Sequence, residues 1–352
     1  MLKEKLEIGL VGCGAISQLA HLPAASRANR VHLAAICDRD TDLMEKVATR
    51  AGISRRYVDY AEMLASDSIQ AVVIAVPDPL HVPMATAALK AGKHVLVEKP
   101  LGVSSAECRE LIQIVDSTGL KLQVGCMRRH DPGLRFARQH IHERLGNILS
   151  FSAIYQDSIF RPAMRDSCFD PVIPGTRTQN NAHNWKADPR RYHLITQGAH
   201  LFDTIRYLIG PVAAVQALRA EQNGNYSWHG LLEGSNGSLG HFELTCKSCG
   251  DWCEQYKICG ETGSLELDLG LWFYHRPAQV RAFDGTDQQW KQPFSGQSNA
   301  FANQLDDFAE AVLQDRPTDP DVREGLAAVE LLAAVETSLQ TGQRVKMRSP
   351  LG

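Results

Sequence analysis

The sequence predicts an α/β protein in which a doubly wound parallel sheet is followed by an α+β domain with an open, mainly antiparallel sheet. Its 352 residues are 44% hydrophobic, and a chain of this length exceeds the size at which a single core usually stops growing. In the first third, short apolar runs alternate with stretches of helical periodicity. Beyond them, short strands separated by turns dominate. We therefore expect a first domain in residues 1–125 and a second in residues 126–352.

Five apolar runs predict the strands of the first domain, at residues 8–11, 31–36, 71–76, 94–97 and 120–124. Two helices are expected between them, at residues 41–51 and 104–118. The second helix begins with a Ser-Ser-x-Glu cap formed by Ser104 and Glu107, and Gly119 ends it. Alternation of this kind is typical of a parallel sheet covered on both faces.

The second domain is predicted to begin with a helix over residues 135–145 and to continue with strands at 148–155, 212–220, 238–246, 256–258 and 264–269. Residues 201–209, 301–314 and 322–340 are predicted helices, and the last of them is a candidate to pack back on the first domain. Residues 161–192 are rich in Pro, Asn, His and Arg and predict an irregular segment. Long loops in compact proteins are usually functional or mobile.

The charge pattern argues against nucleic acid as a partner. The chain carries 37 basic and 40 acidic side chains, with no long run of one sign. Residues 1–7 mix charges and lack the apolar stretch of a secretory signal, and no segment reaches the length of a membrane span. The nine cysteines include Cys13, Cys37 and Cys126, which lie in apolar runs and are typical of buried thiols. We therefore expect a protein of the reducing cytoplasm that contacts no membrane.

A glycine turn after the first strand predicts a dinucleotide site. Gly12 and Gly14, followed by Ala15 and Ile16, come after a strand and open a helix, so backbone N–H groups can approach a pyrophosphate. Ser17 stands where the usual fingerprint has its third glycine. The flanking strand and helix are the context in which this motif binds a cofactor.

The end of the second strand indicates which cofactor binds. Asp38 can accept both hydroxyls of the adenosine ribose, and its charge would repel a ribose 2′-phosphate, which favours NAD over NADP. Arg39 follows immediately and could offer a cation to that phosphate or stack on adenine. NADP is therefore the alternative cofactor.

Further motifs lie where open α/β sheets bind ligands, at the carboxyl ends of strands. In the following segments, which span nearly the whole chain, the sequence resembles the glucose-fructose oxidoreductase / inositol 2-dehydrogenase / rhizopine catabolism (Gfo/Idh/MocA) family of nicotinamide-dependent sugar oxidoreductases. They are Gly12-x-Gly14-Ala15-Ile16, Asp38, Pro77-Asp78-Pro79-Leu80-His81, Glu98-Lys99-Pro100, Met127-Arg128-Arg129-x-Asp131-Pro132-Gly133 and Gly198-Ala199-His200-Leu201-Phe202-Asp203.

The resemblance implies a Rossmann domain that binds NAD, a second domain with an open sheet, and a homodimer or homotetramer built by packing those sheets. It implies that a defined set of residues contacts the cofactor: Gly12, Gly14, Ala15, Ile16, Asp38, Arg39, Val76, Pro77, Asp78, His81, Glu98, Lys99 and Met127. A second set is expected to contact a carbohydrate or polyol substrate: Arg128, Asn181, His183, Tyr192, Thr196 and Asp203. Planar amides and aromatic faces, such as those of residues 179–185, suit a polyol.

The same resemblance assigns Lys99 and His200 to catalysis. Lys99 is expected near the nicotinamide ribose and the reacting hydroxyl, with a cis bond before Pro100, and its ammonium lowers the free energy of a developing alkoxide. His200 is suited to take the hydroxyl proton while hydride leaves the same carbon for nicotinamide C4. The expected activity is oxidation of a ring hydroxyl, or reduction of the matching ketone.

One position departs from the family pattern. Members of the inositol type carry an aspartate four residues before the histidine, and this chain has Thr196, which cannot stabilise an imidazolium by charge. Either Asp203 substitutes in part, or Tyr192, His193 or His183 shares the proton transfer. The substrate is therefore not restricted to a plain inositol.

The sequence leaves two other functions open. One is a glycosidase that uses tightly held NAD to oxidise C3 transiently, and it could act on an anionic sugar bound by arginines of the irregular segment: Arg161, Arg165, Arg177, Arg190 and Arg191. The other is an NAD-binding sensor or scaffold without catalysis, although such a protein would need neither the lysine nor the histidine.

A cysteine cluster in the second domain has the spacing of a zinc site but a different interpretation is favoured. Cys246, Cys249 and Cys253 lie between His241 and Cys259. The alternation around Cys246 is typical of a strand, and no second Cys-x-x-Cys completes a structural site. We therefore expect no metal.

Overall fold

The computed structural model describes residues 4–176, 187–294 and 296–347 of the chain. These residues divide into two compact units, each with its own sheet. The first unit contains residues 4–127, 169–176 and 301–329, and the second contains residues 128–168, 187–294, 296–300 and 330–347. The first boundary lies close to the expected residue 125, but the second unit is not the continuous stretch 126–352, because two later stretches join the first unit.

The strands of the described chain are β1 (Leu6–Val11), β2 (Val31–Cys37), β3 (Arg56–Tyr57), β4 (Ala71–Ile74), β5 (His94–Glu98), β6 (Leu122–Gly125), β7 (Ile148–Ser158), β8 (Val212–Gln222), β9 (Asn225–Gly234), β10 (Leu239–Ser248), β11 (Cys253–Gly260), β12 (Gly263–Asp268), β13 (Gln279–Asp284), β14 (Gln289–Lys291) and β15 (Val345–Lys346). The helices are α1 (Leu22–Arg27), α2 (Thr41–Ala51), α3 (Tyr60–Leu64), α4 (His81–Lys90), α5 (Ser105–Thr118), α6 (Pro132–Arg144), α7 (Arg161–Asp166), α8 (Pro189–Ile209), α9 (Ala300–Leu313) and α10 (Val322–Thr341).

The first unit is built on a six-stranded parallel sheet with the order β3-β2-β1-β4-β5-β6. The order reverses between β1 and β4, and such switch points are where open parallel sheets bind ligands. All four residues of β4 are buried, as expected of a central strand covered on both faces. The doubly wound fold predicted from the sequence is therefore confirmed.

Two helices of this unit begin and end where the sequence predicts. The Asp40 carboxylate caps α2 by accepting from the Leu43 amide, and Gly52 ends the helix at φ 70°. At α5, Ser104 and Glu107 form both halves of a capping box, and Gly119 ends the helix at φ 66°. Local side-chain chemistry therefore suffices to position both helices.

Residues 301–329 belong to the first unit through specific polar contacts. The backbone amides of Asn29 and Arg30 both donate to Asp306 Oδ1 at 2.7 Å. The Val124 amide donates to the Pro320 carbonyl at 3.0 Å, which extends the edge strand β6. Residues 322–329 of α10 also lie in this unit, whereas residues 330–341 lie in the second.

The second unit is built on a nine-stranded sheet with the order β14-β13-β12-β11-β7-β10-β9-β8-β15. Only β7 and β10 pair in parallel among these strands, and every other described pairing is antiparallel. The expected open, mainly antiparallel sheet is therefore confirmed. Its core includes large side chains such as Trp228, Phe242 and Tyr155, which alternate along their strands with less buried residues.

Helix α8 supplies much of that core. Leu201, Phe202 and Ile205 are at most 1% exposed, and Phe202 packs edge-on against Phe242 with ring centroids 5.0 Å apart. Gly198 allows a close approach, because a Cβ there would lie 3.1 Å from Leu332 Cδ2. The helix begins twelve residues before the predicted residue 201, capped by Asp188 with Pro189 in its first turn.

Within the described residues, no helix combines the length and apolar character needed to cross a membrane.

Candidate active site

The glycine turn after β1 has the geometry of a dinucleotide loop. Gly12 lies at φ 94°, and a Cβ there would be only 2.3 Å from the Ala75 carbonyl oxygen, so no other residue fits. Gly14 is exposed, with nothing within 4 Å of its Cβ position. Ser17, in place of the third glycine, is buried and donates its hydroxyl to the Gly12 carbonyl at 2.6 Å. The turn is fixed at Gly12 and open at Gly14, and the open side has room for a pyrophosphate.

Asp38 lies beside this turn at the end of β2. Its Oδ2 accepts from the Cys13 amide at 2.7 Å, and its Oδ1 accepts from the Asp40 amide at 2.8 Å. The carboxylate is half-buried, while Arg39 is exposed. The carboxylate is thereby held in one orientation at the strand end, where the ribose of a dinucleotide binds.

The segment after β4 joins the segment after β5 through a buried histidine. His81 Nδ1 lies 2.7 Å from the Pro100 carbonyl oxygen, and its Nε2 lies 2.9 Å from the Val76 carbonyl oxygen. Val76, Pro77 and Asp78 are half-buried and lie just beyond the carboxyl end of the central strand β4. His81 is only 1% exposed, so the structure places it beneath these segments as the residue that fixes their positions.

Lys99 is held by a buried acid that sequence reasoning assigned to the cofactor. The Lys99–Pro100 bond is cis, as expected, and the Lys99 amide donates to Glu98 Oε2 at 3.2 Å. Glu98 Oε1 lies 2.9 Å from Nε2 of His21, which follows the glycine turn. Burial opposes ionisation of Glu98, but the hydrogen bond and charge of His21 and the charge of Lys99 outweigh it and lower the pKa of Glu98.

His21 is a contributor that the sequence prediction missed. It is 2% exposed and packs edge-on against Phe301, with ring centroids 5.6 Å apart. Because it lies in the π-helical turn Ser17–His21, it connects the glycine loop to the strand end that carries Lys99. No local motif marks it, since its partner lies 77 residues away.

In the second unit, His200 lies on the accessible stripe of an otherwise buried helix. From Tyr192 to the end of α8, the residues that are not buried are Tyr192, Thr196 and His200, which are spaced four apart. Residues at i and i+4 share one helix face. Three of the predicted site residues therefore emerge together on one face of α8.

Two other predicted site residues hold buried ion pairs. Arg128 donates from Nη2 to Glu254 at 2.7 Å and from Nη1 to the Gly270 carbonyl at 2.9 Å. Burial raises the pKa of Glu254, although the charge of Arg128 and a hydrogen bond from Tyr256 oppose the shift. The Arg128 side chain is 7% exposed, so both of these hydrogen bonds are buried contacts that stabilise the fold.

Asp203 is engaged in the same way by Arg129. Its two carboxylate oxygens accept from the Arg129 guanidinium at 2.7, 3.0 and 3.1 Å, and both side chains are less than 5% exposed. Arg129 also lies over the Tyr207 ring at 5.1 Å. Asp203 therefore serves a buried bidentate pair, which leaves little of its charge for His200.

Comparison with known proteins identifies both halves of the chain. Residues 6–126 match the oxidoreductase family with an NAD-binding Rossmann fold (GFO_IDH_MocA), and residues 169–347 match the C-terminal alpha/beta domain of that family. The chain belongs to the Gfo/Idh/MocA oxidoreductase family. Its first unit is accordingly an NAD-binding domain, and the resemblance inferred from the motifs is confirmed.

The chain is similar to characterised and uncharacterised members of the family. It is 28% identical to an inositol 2-dehydrogenase from Rubrobacter xylanophilus over 99% of this chain and 95% of that protein. An uncharacterized oxidoreductase, ORF334 of Rhizobium meliloti, is 41% identical, but the match spans only 36% of this chain and 38% of that protein. An oxidoreductase domain protein from Kribbella flavida shares the fold at a TM-score of 0.83 and 23% identity, over 99% of this chain and 100% of the other.

Beside the stripe of α8, this Gfo/Idh/MocA chain carries a polar network that the motifs did not reveal. Tyr155 donates its hydroxyl to Gln197 Oε1 at 2.7 Å, and Gln197 Nε2 donates to Asp157 at 3.2 Å. Asp157 in turn pairs with Arg161 at 2.8 Å. Burial raises the pKa of Asp157, and the charge of Arg161 opposes the shift. The network fixes the neighbours of Thr196 and His200 on α8.

His193, offered above as a candidate to share proton transfer, lies in a pocket that disfavours its charged form. The ring is 8% exposed and packs against Tyr192 and Tyr226, with centroids 5.1 and 5.6 Å away. Burial, reinforced by the charges of Lys247 and Arg161, lowers the pKa of His193 to about 4. The neutral ring is therefore a weak base at neutral pH.

The arginines proposed for an anionic sugar have acidic partners wherever the structure describes them. Arg161 pairs with Asp157, Arg165 with Asp166, Arg190 with Glu221 and Arg191 with Glu336, at 2.5 to 3.0 Å. These pairs remove most of the positive field that an anion would need. The same unit has a cavity of 340 Å³ whose lining includes Arg190, Arg191 and Arg219 together with the carboxylates of Asp188 and Glu336, so most of its positive charge is offset.

Several predicted residues remain to be placed. Asn181, His183 and Arg177 lie outside the described residues, and so does the whole polar run 179–185. Met127 is 2% exposed in the turn Met127–His130. Ala15 is exposed and Ile16 half-buried at the start of the helix after the glycine turn.

The cysteine cluster does not assemble a ligand set in the described part of the chain. Cys246 is buried in β10, Cys249 is exposed, and no group of three His, Cys, Asp or Glu side chains there could hold a metal ion. Burial raises the pKa of the Cys246 thiol, which opposes formation of the thiolate that binds metals. The strand interpretation of this segment is confirmed by β10.

Proposed function

We propose that this protein is an NAD-dependent dehydrogenase or ketoreductase acting on a ring hydroxyl or ketone of a sugar, inositol-like polyol or glycoside. Membership of the oxidoreductase family supports the class of reaction. The named activity of the full-length relative, inositol 2-dehydrogenase, supports the class of substrate. The observation that carries the assignment of residues is the accessible stripe of Tyr192, Thr196 and His200 on a helix that is otherwise buried.

In this proposal His200 takes the proton of the reacting hydroxyl and Lys99 stabilises the oxygen as it becomes negative. NAD⁺, when bound, supplies the acceptor for the hydride that leaves the carbon carrying this oxygen. Lys99 is suited to its part because a turn anchored by buried Glu98 and His81 fixes its backbone. His200 returns the proton when the reaction runs toward the alcohol.

Other side chains on α8 replace only part of what a carboxylate at position 196 would supply. Thr196 and Tyr192 offer hydroxyl groups on the same face as His200, and hydroxyls can orient an imidazole or a substrate but cannot neutralise an imidazolium. We therefore propose that these hydroxyls contact the substrate beside His200.

Replacing the two catalytic residues tests the proposal. Lys99→Ala and His200→Ala should each lower kcat by about 100-fold or more, because each removes a group that acts on the transition state. NAD⁺ affinity, measured by titration without substrate, should change by less than about threefold. Lys90→Ala, at an exposed position near the end of α4, serves as the control.

The assay should offer sugars, inositols and glycosides with NAD⁺ and should follow both reduced nicotinamide and released aglycone. Unchanged turnover in both catalytic variants would overturn the assignment of Lys99 and His200. Release of free sugar without net NADH would instead identify the redox-neutral glycosidase. Tight NAD⁺ binding without turnover of any compound would favour the sensor.

A further inference from the structure

We propose that residues 171–176, here called the strap, form the outer wall of the subsite for the adenosine ribose and that the Asp40–Thr176 contact makes this subsite reject the 2′-phosphate of NADP. The strap belongs to the first unit although the residues on its amino-terminal side up to Cys168 belong to the second. The inference concerns NAD binding, so it holds whatever the substrate is.

One end of the strap is attached to the glycine turn. The Gln18 side chain accepts from the Ile173 amide at 2.8 Å and donates to the Ile173 carbonyl at 3.0 Å, as a neighbouring strand would. The same Gln18 Nε2 donates to the Cys13 carbonyl at 2.9 Å, inside the turn. Gln18 therefore couples the position of the strap to the loop that receives the pyrophosphate.

The other end of the strap is attached immediately after Asp38. The Thr176 amide donates to Asp40 Oδ2 at 2.6 Å, and the Thr176 hydroxyl donates to Asp40 Oδ1 at 2.8 Å. Asp40 is 7% exposed, and the Asp40 amide donates to Asp38 Oδ1. A Cβ at Gly175 would lie 3.4 Å from Asp40 Oδ2, so the strap backbone lies directly against this carboxylate.

A third contact and two prolines limit the freedom of the strap. Arg50, in the last turn of α2, donates from Nη1 to the Pro171 carbonyl at 2.9 Å. Pro171 and Pro174 fix two of the six φ angles of the segment, which lowers the entropy lost when it is ordered. The strap therefore has defined anchors on both sides of the Asp38 position.

The location of these anchors determines what the wall can exclude. A dinucleotide laid on the turn places its adenosine ribose at Asp38, and a 2′-phosphate would extend from the ribose toward the residues after it. There it would meet the carboxylates of Asp38 and Asp40 and the backbone of the strap. Burial together with the charges of Asp38 and Asp40 raises the pKa of Cys13 to about 12, so both carboxylates act electrostatically on the turn.

Arg39 alone does not overcome the repulsion between these carboxylates and a 2′-phosphate. It is exposed, and water screens an exposed cation more strongly than a carboxylate that is 7% exposed. A phosphate would add about two negative charges beside two carboxylates, and Arg39 brings a single positive charge against them. The open face at Gly14 leaves room for the pyrophosphate that NAD and NADP share. The difference between the cofactors therefore arises at Asp38, where the sequence already predicts it, and at Asp40 and the strap, which reinforce it.

Titration calorimetry with NAD⁺ and NADP⁺ in the absence of substrate tests the inference. The intact protein should bind NAD⁺ at least about tenfold more tightly than NADP⁺. Asp40→Asn keeps a good helix cap but removes the charge, and it should lower this preference by about threefold to tenfold, mainly through tighter NADP⁺ binding. Thr176→Val removes the hydroxyl contact at constant size and should lower the preference in the same direction by about threefold.

Asp42→Asn provides the matched control, because Asp42 lies on the same helix but is exposed and pairs with Lys46. It should leave both affinities within about twofold of the intact protein. Hydrogen exchange at Ile173 and Thr176 should slow when NAD⁺ is added, which reports on the strap even if a variant fails to fold.

The inference is overturned if the intact protein prefers NADP⁺, or if Asp40→Asn and Thr176→Val leave the preference unchanged. An equal effect of Asp42→Asn would show that the cofactor preference depends on the overall negative charge and not on Asp40, which would also overturn the inference. Because no step requires turnover, a failure here is distinct from a failure of the proposed catalytic function.

Discussion

At the scale of single residues, the groups that carry the chemistry depend on buried partners far away in the sequence. Glu98 holds the Lys99 backbone and is itself held by His21, 77 residues earlier. Arg128 pairs with Glu254 across 126 residues, and Arg129 pairs with Asp203 across 74. Each arginine pair removes two charges from water, which is costly unless the geometry is good on both sides. Losing one partner is therefore more damaging than losing an exposed pair.

The Glu98–His21 pair provides a direct prediction of stability. His21→Phe keeps an aromatic ring against Phe301 but leaves the buried Glu98 Oε1 without its hydrogen-bond partner. The free energy of unfolding should fall by about 3 kcal/mol at pH 7. His32→Phe is the matched control, because the His32–Glu7 pair is 61% and 39% exposed, and should cost less than about 0.5 kcal/mol.

The pH dependence of this loss follows from the lowered pKa of Glu98. A carboxyl whose pKa is lower in the folded state than in the unfolded state stabilises the fold at pH values above its unfolded-state pKa. That contribution disappears as pH falls through the folded-state pKa. The difference in the free energy of unfolding between His21→Phe and the intact protein should therefore have its full size at pH 7 and become smaller below about pH 4. Urea unfolding monitored by circular dichroism at several pH values measures it. A difference independent of pH would show that altered packing against Phe301, and not the lost hydrogen bond to Glu98, is responsible.

At the scale of helices and strands, elements with local signals were predictable and those without them were not. The sequence predicted α2 and α5 because caps and terminal glycines mark both ends. It missed α4, whose N-cap residue Leu80 makes no side-chain hydrogen bond, and it missed β9, where Gly230 interrupts the alternation of buried residues. The signal for the true start of α8, Asp188 followed by Pro189, was present but was hidden by the polar residues after it.

The candidate site was predictable to a similar degree. The motifs located the glycine turn, Asp38, Lys99 and His200, because each carries its chemistry in a short segment. They did not reveal His21, Gln197 or the strap, since these act through contacts between distant segments. They assigned Arg128 and Asp203 to substrate, which stays a prediction, and they did not reveal that both side chains hold buried ion pairs. A residue type in a motif indicates the chemistry available but not the partner that already uses it.

The stripe on α8 allows a test of what orients His200. Thr196→Asp places a carboxylate one helical turn before the imidazole, on the same half-exposed face. If His200 is the base for alcohol oxidation, this charge should stabilise its protonated form and move the acid limb of the pH–rate profile about half a unit toward higher pH. Thr196→Val, which removes the hydroxyl without adding charge, should leave that limb in place. An identical shift in both variants would place the effect on substrate contacts instead.

At the scale of the whole molecule, each unit is assembled from separated stretches of chain. The first unit recruits residues 169–176 to the nucleotide loop and residues 301–329 to its sheet, through contacts to Gln18, Asp40, Asn29 and Val124. The second unit covers one face of its sheet with helices, while side chains of the other face include exposed leucines. An open sheet face with apolar residues on neighbouring strands is typical of an interface.

We propose that this face joins copies of the chain into a homodimer or homotetramer. Leu218 on β8, Leu231 on β9 and Leu239 on β10 are 71%, 64% and 61% exposed, and Leu231 pairs across the sheet with Gln216 and His241. Apolar area of this kind costs free energy in water and regains it when a second sheet covers it. The pairing places these leucines on three adjacent strands, so a single flat partner can cover them together.

Leu231→Glu tests this interface. A carboxylate in the middle of a sheet-to-sheet contact would be buried without a partner, so the oligomer should dissociate by one step, with a dissociation constant raised about 100-fold or more. Analytical ultracentrifugation over a range of concentrations measures the change, and Val58→Glu, at an exposed position in the first unit, should leave the assembly intact. If the intact protein is a monomer at all concentrations, or if Leu231→Glu sediments as the intact protein does, this face is not the interface.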